Sequence, residues 1–113
     1  ANSHELLLKA QQEQLYAKLV MQLKKDFGLA NIPIDLAKDI APEDLQIFLH
    51  EKMYYLMLEK FPEYLNLLYV IDVPEKAFKQ IQVTDVVEVA EQVSYLALKR
   101  ELQKVWLKEK YAS

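Results

Sequence analysis

Apolar side chains recur along this chain mainly at steps of three and four residues, the spacing that lines one face of an α-helix. The densest such stretch is residues 42–61, PEDLQIFLHEKMYYLMLEKF. Projected at about 100° per residue, Leu45, Leu49, Met53 and Leu56 fill one side and Ile47, Tyr54, Leu58 and Phe61 the other. Phe48, Tyr55 and Met57 lie between them, and the polar stripe is narrow: Glu51, Lys52 and Glu59. A helix apolar nearly all round belongs in an interior. The stretch is therefore predicted to be the buried central helix of a small bundle.

The pattern on either side supplies its neighbours. Leu8, Leu15, Leu19 and Leu23, joined by Tyr16, Val20 and Phe27, predict one long first helix over residues 3–27. Its wet side is Gln11, Gln12, Gln14, Lys18, Gln22 and Lys25. Asn2 and Glu5 have capping-box spacing, with Ser3 an equally good cap. Gly28 stands where a left-handed stop is expected, with Leu29 folding back on Leu23. Residues 30–41 read as a connector with one possible turn over Leu36 to Ile40, capped by Asp35. Pro42 then suits the first position of the central helix, with Glu43 and Asp44 at its positive end.

Pro62 stops that helix and opens another, because Tyr64, Leu67, Leu68 and Ile71 recur at helical steps. Residues 67–73 have strand propensity too, but no partner strand or tight turn is near. Asp72, ahead of Val73, Pro74 and Glu75, looks like the start of a short helix ending near Ile81. Thr84 is expected to cap a last helix over residues 85–110. Along that helix Val86, Val89, Ala90, Val93, Leu96 and Ala97 share a side which then carries Arg100 and Lys104. The apolar positions rotate to Tyr95, Leu98, Leu102, Val105 and Trp106. The fold expected is all-α: a single domain over residues 1–113, a compact bundle of about four to five helices with long first and last members.

Composition sharpens this picture mostly by exclusion. One glycine in 113 residues argues against multi-stranded architecture and removes every glycine-rich phosphate loop. The absence of cysteine excludes disulfides, thiol nucleophiles and Cys-based metal sites, and suits a reducing compartment. The longest apolar run, residues 53–58, is far below the roughly 18 residues a spanning helix needs. Leu6-Leu7-Leu8 follows Glu5 rather than a basic region, unlike a signal peptide. A soluble, cytoplasmic protein is expected. Charge is segmental: residues 35–91 carry five Lys against twelve acids, whereas residues 92–113 carry five bases against Glu101 and Glu109. Acidic middle and basic tail attract, within one chain or between two.

Candidate chemistry is sparse. His50-Glu51 begins like a helical zinc signature, but Tyr54 and Gln46 occupy the positions where a second ligand is needed. No metal or other cofactor is expected. Glu88 and Glu91, and Asp35, Asp39 and Glu43, have spacings that can share a proton or an ion, and read better as solvated surface. Ser94 has no histidine near it in sequence, so no catalytic residue is assigned and a non-enzymatic role is expected. A sequence pI of about 5.4 and scattered tail lysines argue against nucleic acid.

Seven of the twelve aromatic residues fall between Phe48 and Phe78. A cluster of that kind is core, a contact surface or a pocket lining. The leading expectation is a small interaction module that pairs with itself, or with another protein, through Tyr95, Leu98, Leu102, Val105 and Trp106. The alternative is a small-ligand-binding protein or enzyme whose pocket between the middle helices uses His50, Tyr54, Tyr64 and Tyr69.

Overall fold

Asn2 opens the first helix as its spacing to Glu5 implies: its Oδ1 accepts the Glu5 amide at 2.9 Å. The computed structural model describes residues 2–81 and 85–112. Among these, six helices form a compact all-α bundle, roughly globular, in place of the four to five expected. They are α1 (Ser3–Gln12), α2 (Tyr16–Leu29), α3 (Pro42–Glu59), α4 (Phe61–Ile71), α5 (Glu75–Lys79) and α6 (Val86–Tyr111).

The extra helix comes from a break in the first one. Gln14 turns left-handed at φ 61°. The Leu15 amide then reaches back to the Ala10 carbonyl at 2.8 Å and the Gln14 amide to the Gln11 carbonyl at 3.0 Å. These two bonds define a Schellman stop. The same pair ends α2, with Asn31 at φ 62°, Ile32 N–H on Phe27 O and Asn31 N–H on Gly28 O. It ends α4 too, with Asp72 at φ 73°, Val73 N–H on Leu68 O and Asp72 N–H on Tyr69 O. None of the three stops uses glycine. Gly28 lies inside α2 with no positive φ, and Leu29 is 62% exposed rather than folded back on Leu23.

The break also rephases the buried face. Leu7 and Ala10 are inside and Leu8 is outside, while Gln22, expected on the wet side, is 8% exposed. The connector makes only a turn, Ile40 N–H on Ala37 O, and is anchored where the Tyr16 hydroxyl donates to Ile40 O at 2.5 Å. Pro42 takes the first turn of α3, and Lys60 separates α3 from α4, so that Phe61 begins the next helix. Residues 67–71 are helical, as favoured over strand. Asp72 terminates α4 instead of starting α5, whose N-cap is Pro74. Thr84 lies outside the described residues; the side chain of Asp85 caps α6 by accepting the Val87 amide at 2.9 Å.

The central helix is half right. α3 packs against α1, α4 and α6, and buries Leu45, Leu49, Met53 and Leu56 at 0–2% exposure. Its other side is open: Ile47, Tyr54, Tyr55 and Leu58 are all exposed, by 41–56%. The three helices that contact α3 cover only one of its sides, so an all-round apolar sequence leaves an uncovered face.

The change of face expected along α6 is absent. Its buried side runs unbroken through Ala90, Ser94, Ala97, Glu101 and Val105, flanked by Val93 and Leu98. Ser94 and Glu101 are polar members of one continuous stripe, which is why the apolar letters alone seemed to rotate. No helix among the described residues is long and apolar enough to cross a membrane.

Candidate functional site

The least expected feature of the molecule is a charged cluster in its interior. Glu101 on α6 is 0% exposed and Asp26 on α2 is 3% exposed. Lys104 reaches between them, with Nζ 2.5 Å from Asp26 Oδ2, 2.8 Å from Glu101 Oε1 and 3.0 Å from the Ile71 carbonyl of α4. Gln22 Nε2 donates to both Asp26 oxygens at 3.2 Å, and Lys108 Nζ donates to Gln22 Oε1 at 2.6 Å. One ammonium thus ties three helices together.

Two carboxylates cannot both ionise cheaply beside a single buried cation. Burial, then the hydrogen bond with Asp26, pushes the Glu101 carboxyl up to about 9, against the pull of Lys104. Burial also works against the Asp26 charge, but hydrogen bonds from Glu101, Lys104 and Gln22 outweigh it and hold Asp26 below its ordinary value. The proton therefore sits on Glu101. As an ionised group Glu101 has only the Lys104 ammonium beside it, at Oε1; as an acid it also donates to Asp26. The arrangement is an acid–carboxylate pair with its proton enclosed, and it serves cohesion.

Sequence reasoning missed these residues, although a signal was present. Asp26 lies three and seven positions beyond Leu23 and Leu19, and Glu101 lies midway between Leu98 and Val105. Each is a charged residue at an apolar position.

The residues proposed as pocket groups are dispersed. Tyr64 is buried, its hydroxyl raised to about 12 by burial, with its ring centroid 5.6 Å from that of Phe61. Tyr54 is exposed, and Tyr69 is 83% exposed. His50 borders a cavity of about 520 Å³ with Gln46, Gln92 and Tyr95, and none of Tyr54, Tyr64 and Tyr69 joins that lining. Its Nε2 is buried without a hydrogen-bond partner among the described residues, as is Ser94 Oγ. Glu88, Glu91, Asp35, Asp39 and Glu43 are all exposed. No group of three or more His, Cys, Asp or Glu among the described residues is placed to hold a metal ion.

The residues proposed as an interface divide by depth. Leu98 and Val105 are buried within the chain, Tyr95 and Leu102 are half-buried, and Trp106 is 44% exposed. The three accessible ones line a groove of about 430 Å³ between α1 and α6, facing Leu6, Lys9 and Glu13. Lys110 lies 4.8 Å from the centre of the Trp106 ring, a cation–π contact. Part of the tail's positive charge is used internally: Arg100 pairs with Asp72 at 2.8 Å and Lys104 with Asp26, while Lys18 pairs with Glu109.

The sequence matches no protein-family model, and comparison with curated proteins and with solved structures gives no match either.

Proposed function

We propose that this protein is a small cytoplasmic interaction module that associates with a second copy of itself. The observation that carries the reading is the uncovered side of α3, where Ile47, Tyr54, Tyr55 and Leu58 stand exposed together. Single exposed apolar residues are ordinary; a run of large ones along one helix side marks a contact surface. The α1–α6 groove adds a second apolar surface containing Trp106 and Tyr95, residue types that commonly anchor interfaces.

Light scattering coupled to size exclusion tests the proposal. At tens of micromolar the chain is expected at twice its own mass, and Tyr54→Ser is expected to return it to monomer with an unchanged helical circular dichroism spectrum. A monomer at every concentration tested removes the reading.

The buried, unpartnered His50 Nε2 beside its cavity favours a second reading, a small polar ligand held with Gln46 and Gln92. A fragment screen followed through the His50 ring resonances tests it; resonances that no fragment moves set it aside.

A further inference from the structure

The two uncovered surfaces share one spacing. On α3, Ile47, Glu51, Tyr54 and Leu58 follow one another at steps of four, three and four, and all four are exposed. On α6, Tyr95, Lys99, Leu102 and Trp106 follow the same steps and line the groove. Such a 4-3-4 series is the seam along which two helices pack side by side. Each seam spans eleven residue steps, about 16 Å at 1.5 Å per residue.

The groove has two walls running the same way. Asn2 of α1 and Tyr95 of α6 share the lining of two neighbouring cavities, and Glu13 and Trp106 meet again at the far end. α1 therefore runs parallel to α6 along the groove. A third helix seated in it lies parallel or antiparallel to both.

Charge chooses between the two. The single charged member of each seam is its second position, Glu51 on α3 and Lys99 on α6. Both are exposed, and neither has an ion-pair partner among the described residues. Laid parallel and in register, Glu51 faces Lys99, Tyr54 faces Leu102 and Leu58 faces Trp106. Laid antiparallel, Glu51 faces Leu102 and Lys99 faces Tyr54, so both charges lose their partner. A lone charged position in an apolar seam sets register in this way.

We infer that, in the self-association proposed above, α3 of one copy lies parallel in the α1–α6 groove of a second copy, with Glu51 set against Lys99. The inference rests on that proposal. Ridge and groove are different patches, so the contact is heterologous: it closes as a pair where one two-fold axis joins ridge to groove twice, and runs on as a filament where it does not.

Charge reversal tests the alignment by sedimentation equilibrium over a concentration series. Glu51→Lys and Lys99→Glu each put like charges together and are expected to weaken association about tenfold or more. The double variant restores opposite charges and is expected within about threefold of the parent. An equimolar mixture of the two single variants is expected to associate as the parent does, because each chain then supplies the charge the other needs at both contacts. Both sites are exposed, so circular dichroism should show every variant folded. Association that is indifferent to either reversal, or that neither the double variant nor the mixture recovers, overturns this alignment while leaving self-association intact. A parent that stays monomeric removes the proposed function along with it.

Discussion

Glu101 concentrates the physical chemistry of this chain in one side chain. Its folded state holds a proton up to about pH 9, whereas an ordinary carboxyl, the unfolded reference, loses it near 4.5. Between those values the folded protein binds the extra proton, so stability falls as pH rises, by up to about 1.4 kcal/mol per unit for one group. Glu101's contribution is complete below about pH 4.5 and gone above about 9. Asp26, held below its ordinary value, acts oppositely: its contribution is present above the ordinary carboxylate range and lost in acid. Urea unfolding from pH 5 to 9 should therefore show a decline in the parent that Glu101→Gln flattens. A slope unchanged in the variant would place the proton elsewhere. Lys104→Met leaves Asp26 with a buried charge lacking its cation, and the loss expected from chemical denaturation is about 3–5 kcal/mol.

Helix ends and helix faces set the next scale. Three left-handed stops at Gln14, Asn31 and Asp72 use residues that pay for that conformation, whereas the one glycine sits in a helix it weakens. A Cβ at Gly28 meets no atom within 4 Å, so Gly28→Ala should stabilise by roughly 0.5–1 kcal/mol. Asn31→Gly at the stop should at least be tolerated, since glycine enters the left-handed region freely. Thermal denaturation of both variants separates the two effects; destabilisation by Gly28→Ala would mean that α2 does not continue through residue 28. On α3 the two faces should differ sharply. Leu49→Ala empties a fully buried position and should cost about 2–5 kcal/mol, while Ile47→Ala, at 56% exposure, should stay within about 0.5 kcal/mol in the monomer. Equal costs at the two positions would contradict the one-sided packing of α3.

At the scale of the molecule, the bundle is held by an apolar core pinned by one polar knot. Phe27, Leu45, Leu49, Met53, Leu67, Ile71 and Leu98 supply fully buried volume. The Lys104 cluster joins α2, α4 and α6, and the Arg100 guanidinium clasps Asp72 through both its backbone carbonyl and its carboxylate. The same connectivity leaves α3 covered on one side only, and its uncovered side is the one the proposed self-association uses. The cost of burying the Asp26–Glu101–Lys104 charges is repaid in cohesion only while the proton stays in place.

The sequence by itself determined the helical class and the Pro42 and Pro62 helix starts, and it offered Asn2 and Ser3 alike as the first cap. These follow from periodicity and from backbone chemistry that acts within a few residues. It did not disclose the break at Gln14, because a non-glycine left-handed residue is chosen by the packing of Leu7, Ala10 and Leu15 beneath it rather than by its own preference. Nor did it disclose that Glu101 and Asp26 are inside. A charged residue in an apolar register is read as a gap until a cation from another helix is seen to meet it, and Lys104 is 78 positions from Asp26 in the chain. Tyr54 and Leu58, apolar like Leu49 and Met53, lie outside for a reason no local pattern contains: the helices that meet α3 all lie on its other side. Which apolar face is covered is decided by the number and placement of neighbouring elements, and that is a property of the tertiary structure alone.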